Sequence, residues 1–194
     1  MDDADIAARK AALRAEALAA RDALPPTVAI ENAVALAGHA EALGEVGGLT
    51  VSAYWPIRSE IDPRPLLFAL HARGARMALP AVTEGSLVFR LLTRDTTLEP
   101  AGFGTHAPGP DAPPLDPDLI LLPLAAFDRR GNRLGYGKGY YDRAISALRE
   151  KGRALRLVGL AHAMQERDDV PRGSRDAPLD AVLCERGLRA SSAA

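Results

Sequence analysis

From Leu119 to Leu124 the chain is apolar at almost every position. A strand with one face in water alternates apolar and polar residues, so this run is expected to form a central strand covered on both faces. That requirement constrains the fold more than any other segment, because layers must then lie above and below one sheet. Shorter apolar runs at Leu49–Trp55, Met77–Val82, Leu87–Leu92, Leu155–Ala161 and Ala181–Leu183 read as further strands, with helical stretches between them at Pro63–Ala72 and Tyr140–Lys151. Two helices precede them: one over Ala4–Leu24, rich in Ala, Leu, Arg and Glu and stopped by Pro25 and Pro26, and one over Thr27–Leu43. The pattern is α/β alternation in a single domain over residues 1–194, with a small polar tail at about 189–194 expected to fray.

The central run leads directly into a glycine-rich loop. Gly135, Gly137 and Gly139 alternate strictly, Lys138 lies among them, and Arg133, Tyr136, Tyr140 and Tyr141 flank them. Glycines at this density let backbone N–H groups approach an anion, and a helix starting after them adds the positive end of its dipole. In open α/β sheets ligands bind beyond the carboxyl ends of such strands, so the loop lies where a site is expected. The spacing matches neither a P-loop nor Gly-x-Gly-x-x-Gly, since Tyr140 stands where the third glycine would be. The bland alternative is a glycine-rich turn that binds nothing.

Composition removes several classes of function. Twenty-four basic against twenty-five acidic residues leave a net charge of −1, which gives no general attraction to nucleic acid or an anionic membrane. The single cysteine, Cys184, forms no internal disulfide or thiolate cluster; it fits a reducing, cytoplasmic location and reads as a buried strand thiol. No apolar run approaches the ~18 residues of a membrane span, and the acidic N-terminus is unlike a signal peptide. His39, His71, His106 and His162 share no metal-ligand spacing, and no nucleophile elbow is present. Chemistry built on phosphate and magnesium suits this inventory better than a serine or cysteine hydrolase.

Outside the loop, Lys10 and Arg14 are four residues apart on one helix face, either straddling a polyphosphate or forming part of a solvated charged face. Trp55, the only tryptophan, precedes Glu60 within Tyr54-Trp55-Pro56-Ile57-Arg58-Ser59-Glu60. A flat heteroaromatic ring could stack on the indole while Glu60 accepts from ring N–H groups; equally, Trp55 could fill the core and Glu60 the surface. Asp142 is either a first-turn acid complementing the helix dipole or a magnesium ligand. Asp128, Asp176 and Asp180 are further carboxylates near strand ends. Gly102–Pro117 holds five prolines and three glycines in sixteen residues and reads as a long loop flanking the site.

The run Pro123-Leu124-Ala125-Ala126-Phe127-Asp128, continuing through Gly131-Asn132-Arg133-Leu134-Gly135-Tyr136-Gly137-Lys138-Gly139 to Tyr140-Tyr141-Asp142-Arg143, resembles the signature of the 5-formyltetrahydrofolate cyclo-ligases, or methenyltetrahydrofolate synthetases. The resemblance extends to Lys10 with Leu13-Arg14, to Ser59-Glu60-Ile61, and to Gln165, Val170-Pro171, Asp176 and Leu179-Asp180, in order over nearly the whole chain. One stretch departs: Gly104-Thr105-His106-Ala107-Pro108 stands where relatives often carry Gly-x-x-Glu-Pro.

The resemblance implies a three-layer α/β/α sandwich with a central mostly parallel, Rossmann-like sheet. It also implies a monomeric cytoplasmic enzyme that uses ATP and Mg2+ to cyclise 5-formyltetrahydrofolate, with no nucleic-acid or membrane partner. ATP is then expected at Lys10, Arg14, Arg133, Leu134, Gly135, Tyr136, Gly137, Lys138, Gly139, Tyr140 and Tyr141. The folate is expected at Trp55, Glu60, Gly137 and Tyr141, magnesium at Asp142 and Asp176, and the catalytic groups are Lys138 and Arg133. A family member that binds folate and nucleotide without cyclo-ligase activity is the alternative.

Overall fold

The structure, a computed structural model, describes residues 3–102 and 104–192. Its helices are α1 (Asp3–Asp22), α2 (Pro26–Gly38), α3 (Arg64–Ala72) and α4 (Tyr140–Glu150). Its strands are β1 (Thr50–Ser52), β2 (Arg76–Thr83), β3 (Ser86–Leu92), β4 (Leu98–Pro100), β5 (His106–Pro108), β6 (Leu119–Pro123), β7 (Ala126–Phe127), β8 (Arg133–Leu134), β9 (Arg156–Leu160), β10 (Ala181–Cys184) and β11 (Gly187–Ala190). Seven strands form one sheet in the order β11-β10-β9-β6-β1-β2-β3, and two short hairpins, β4–β5 and β7–β8, lie apart from it. The strands from β10 to β2 run parallel, while β3 and β11 pair antiparallel at the two edges. The fold is therefore the three-layer α/β sandwich with a mostly parallel sheet.

β6 is the central strand, as its composition requires, and its side chains divide by parity. Leu119 and Leu121 join Val51, Leu160 and Leu183 beneath Leu36 of α2 and Leu66 and Leu70 of α3. Ile120 and Leu122 join Leu157 and Val182 beneath Ala144, Ile145 and Leu148 of α4. α1 belongs to neither layer. It packs Leu13 and Ala17 on Ala126, Leu134 and Val170, residues that follow the carboxyl ends of β6 and β9. Pro25 caps α2 and Pro26 opens it at the first helical position, where a missing N–H costs nothing, so α1 and α2 separate at this point.

Connections from β1 pass through α3 outward to β2, and those from β6 pass through α4 in the other direction to β9. Beyond the adjacent carboxyl ends of β1 and β6 the chain therefore diverges and leaves a crevice. The loop after β1 carries Trp55 and Glu60, and the segment after β6 carries the glycine loop.

Four expectations are corrected. The second helix stops at Gly38 and tightens into a 3-10 turn at Ala40–Leu43, because the His39 N–H turns back to Leu36. The proline-rich stretch contains β5, paired with β4 through Glu99 and Ala107. In the tail, Arg189 and Ala190 belong to β11, and Ser191 and Ser192 donate backbone hydrogen bonds to Asp180 and Arg129; the last two residues lie outside the described ones. Cys184 ends β10 half-buried rather than buried, its thiol facing the Gly187 carbonyl. Among the described residues no helix is long and apolar enough to cross a membrane.

Leu121 has no exposed surface. Leu121→Ala should lower unfolding stability by about 2–5 kcal/mol, read as a drop in urea midpoint at unchanged slope. A loss below about 0.5 kcal/mol would contradict its place at the centre of the core.

Candidate functional site

Two of the three alternating glycines are demanded by the backbone: Gly137 at φ +88° and Gly139 at φ +64° occupy the left-handed region that side chains disfavour. Gly139 is the N-cap of α4 and supplies no side chain, so the first-turn N–H groups of the helix face the loop. Among the described residues the N–H groups of Tyr136, Gly137 and Gly139 donate to no oxygen of the chain. Asp142 provides the first-turn acid. Lys138 is exposed on the loop, and its carbonyl accepts from Arg143 Nη1 at 3.0 Å.

α1 turns Arg14 onto this loop and Lys10 onto a carboxylate beside it, so neither stands on a purely solvated face. Arg14 Nε donates to the Gly135 carbonyl at 2.7 Å, and its guanidinium carbon lies 3.4 Å from where a Cβ on Gly137 would stand. Burial lowers the Arg14 pKa. One turn earlier, Lys10 Nζ pairs with Asp176 Oδ2, which also accepts from the Gly173 N–H at 2.7 Å. Burial opposes the charge of Asp176, but Lys10 and that N–H hold its carboxyl below the usual range.

A second ion pair lies alongside. Arg133, its side chain 7% exposed, donates from Nη2 to Asp142 Oδ1 at 2.6 Å and from Nη1 to the Ala177 carbonyl. The Ala177 N–H donates to the same Asp142 oxygen at 3.1 Å. Asp142 and Asp176 thus flank one backbone segment, each with a single oxygen engaged by a cation. Hard carboxylate oxygens in this number fit Mg2+, which takes one or two carboxylates and completes its shell with phosphate and water. Among the described residues no cluster of three or more acidic, His or Cys side chains forms a dedicated metal cage.

Glu60 is buried, and its Oε2 accepts from the Ile57 N–H at 2.9 Å. Burial pushes its carboxyl above the usual range, against the Ile57 N–H, the Tyr136 hydroxyl and Arg21, which favour the charge. Tyr136 responds in turn: burial and Glu60 raise its hydroxyl to about 12. Burial and then Glu60 also push up the hydroxyls of Tyr54 and Tyr141. Glu60 is therefore a buried carboxylate among three phenols, at the junction of the β1 loop and the glycine loop.

Trp55 lies at the outer end of the same loop. The Arg64 guanidinium is 5.2 Å from its ring centroid, His106 meets it edge-on at 6.3 Å, and its carbonyl accepts from Thr105 Oγ1 at 3.1 Å. The indole is partly buried between α3 and the β4–β5 hairpin. Arg64, held by Asp62, already covers the ring, so a stacking ligand must take the remaining indole surface. The hairpin that departs from the family pattern is the element that borders Trp55.

Of the other carboxylates, Asp128 is 2% exposed and ties its own turn: it accepts from Asn132, Val170 and Arg130, which hold it below the usual range although burial raises it. Asp180 caps the Leu157 N–H at 2.7 Å. Both are structural. One important residue was missed as a site candidate: Arg21, 1% exposed, donates to Ser59 Oγ, to the Leu124 carbonyl and to the Tyr136 hydroxyl. Its spacing of seven from Arg14, two turns along the same face, was the available signal.

Comparisons with known proteins agree with one another. The model of the 5-formyltetrahydrofolate cyclo-ligase family matches residues 6–185. A 5-formyltetrahydrofolate cyclo-ligase of Mycolicibacterium smegmatis is 33% identical over 189 residues, covering 92% of this chain and 95% of that protein. One of Escherichia coli K12 is 32% identical over 141 residues, covering 69% and 76%. Among solved structures, the 5,10-methenyltetrahydrofolate synthetase of Aquifex aeolicus superposes with a TM-score of 0.80 at 28% identity, covering 95% of this chain and 94% of that one.

Because burial raises the Glu60 pKa, its ionised form costs folding energy, and that cost fades as pH falls through the raised value. Glu60→Gln should therefore raise the melting temperature at pH 7, with a gain that shrinks on acidification. A Tm difference independent of pH would show that Glu60 does not titrate as a buried acid.

Proposed function

This chain belongs to the 5-formyltetrahydrofolate cyclo-ligase family, and from that premise we propose that it closes the ring of 5-formyltetrahydrofolate to 5,10-methenyltetrahydrofolate at the expense of ATP, with Mg2+, releasing ADP and phosphate. The observation that carries this reading is the convergence of Lys10, Arg14 and Arg133, with Asp142 and Asp176, on a glycine loop that opens α4, with buried Glu60 on the neighbouring strand's loop.

The formyl group on the ring nitrogen is an amide, and its oxygen is a poor leaving group. Transfer of the γ-phosphoryl of ATP to that oxygen gives an iminium phosphate. The secondary amine of the side arm attacks the carbon, the C–O bond breaks, and the oxygen leaves with phosphate; the amine proton ends on that phosphate. Nucleophile and electrophile belong to one molecule, so closure needs orientation more than activation, and proximity can supply roughly 7–11 kcal/mol.

The protein's tasks follow. Arg14, Arg133 and Lys138 oppose the charge on the polyphosphate, and the loop N–H groups donate to its oxygens. Glu60 accepts from the N–H groups of the pterin ring, and Trp55 with Tyr141 walls the folate. Asp142 and Asp176 hold Mg2+, which when bound neutralises phosphate charge.

The test is absorbance in the methenyl-folate band after mixing protein, 5-formyltetrahydrofolate, magnesium and ATP. An ATP-dependent rise is expected, and a flat trace from folded protein that binds both ligands would mark a binding protein instead. Lys138→Ala should lower kcat by about 10²–10³ with a smaller change in folate affinity; normal turnover at saturating ATP would remove Lys138 from phosphoryl transfer.

A further inference from the structure

Arg21 has no place in the phosphate chemistry just described, yet it is the largest charged group in the buried interior, 1% exposed. Burying a guanidinium is costly, and proteins offset the cost with an ion pair or replace the group with an apolar side chain. Neither has happened here: among the described residues no carboxylate lies within ion-pair distance of Arg21. Its three nitrogens instead reach three separate segments.

Nε donates to Ser59 Oγ at 3.0 Å, the residue before Glu60. Nη1 donates at 3.1 Å to the carbonyl of Leu124, just past β6, which also accepts from Gln165 Nε2 at 2.6 Å. Nη2 donates at 2.7 Å to the hydroxyl of Tyr136 inside the glycine loop, and the guanidinium lies 5.8 Å from that ring. Ser59 Oγ in turn donates a hydrogen bond to Oδ1 of Asp22, the last residue of α1. The titratable groups facing this junction are Glu60, Tyr54, Tyr136, Tyr141, Asp22 and His162; burial lowers the His162 pKa, and Arg21 adds to that.

Resting on the proposed function, we infer that Arg21 is a positioning residue for the folate half of the site, fixing the Ser59–Glu60 turn and the Tyr136 hydroxyl in register with the end of β6. The planar guanidinium fork sets three directions at once, which an ammonium cannot reproduce. The helix that carries Lys10 and Arg14 thereby also sets where Glu60 meets its substrate, so nucleotide and folate subsites share one rigid support.

The experiment uses the full chain as Arg21→Lys and Arg21→Gln. Trp55 is the only tryptophan, so quenching of its fluorescence by 5-formyltetrahydrofolate reads folate binding without turnover. Arg21→Gln should raise folate Kd and KM by about tenfold to a hundredfold and Arg21→Lys by less, with KM for ATP changing little. Removing the cation also raises the Glu60 pKa further, so the acid limb of kcat/KM for folate should move to higher pH. Folate Kd and acid limb both unchanged, whatever the melting temperature, overturn the inference, as do equal losses for ATP and folate. If the Arg21 variants do not fold, Ser59→Ala and Tyr136→Phe each remove one acceptor, and an unchanged folate KM in both overturns it. Wild-type protein that binds folate but does not turn it over sinks the cyclisation alone; wild-type protein that binds none sinks both.

Discussion

A strand buried on both faces can carry no chemistry along its length, and β6 is such a strand. Its side chains alternate between two apolar layers, so every polar group it can contribute must emerge at its ends. Its carboxyl end adjoins that of β1, and the two chains leave in opposite directions, one through α3 and one through α4. The loops that follow are thus forced to face each other across one crevice. The hairpin of β7 and β8 folds back beside it through Ala126 and Leu134, and α1 packs on that hairpin. The glycine loop, the Glu60 turn and the cations of α1 meet because the sheet leaves them no other common surface.

How the charges are arranged around the crevice separates it from the rest of the surface. Arg9 with Asp169 pairs across two exposed side chains, and partly buried Glu166 pairs with the exposed Arg129 and Arg189, where water and salt reduce an ion pair to a fraction of a kcal/mol. Arg133 with Asp142 and Lys10 with Asp176 are half-buried or better. Arg21 and Glu60 are buried outright, without direct contact as an ion pair. Burial therefore deepens from the Asp142 and Asp176 side of the crevice to the Glu60 side, and with it the cost of misplacing a charge.

Much of this was legible in the sequence. The six strands expected from apolar runs all exist; burial on both faces leaves β6 an unambiguous composition, and Leu119–Leu124 differs from it by a single residue at its end. The glycine loop and the shared helix face of Lys10 and Arg14 were legible as candidates, and the structure sets Arg14 on that loop. Three things were not. β4 and β5 consist of residues such as Glu99, Pro100 and Pro108 that no strand preference favours; pairing across the hairpin fixes them, which is information held by the partner strand. β11 pairs along β10 despite ending in Arg189 and Ala190, for the same reason. Arg21 looks in sequence like any other cation of a charged helix, because its burial depends on Ser59, Leu124 and Tyr136, which lie 38, 103 and 115 residues away.

The paired state of the site bears on what it can accept. Lys10 and Arg133 are each committed to a carboxylate, so a bare polyphosphate would compete with Asp176 and Asp142 for them and meet two negative charges on the way in. A polyphosphate carrying a divalent cation presents both signs together: the carboxylates can turn to the cation while Lys10 and Arg133 turn to phosphate, and no charge is left unpaired in a poorly solvated crevice. Arg14 needs no such exchange, since its Gly135 bond is to a neutral carbonyl and its remaining guanidinium nitrogens lie against Gly137. In the proposed reaction the ion pairs of Lys10 and Arg133 would have to open to admit a magnesium nucleotide, whereas Glu60, already fixed by Ile57 and its neighbours, would receive the folate without rearranging.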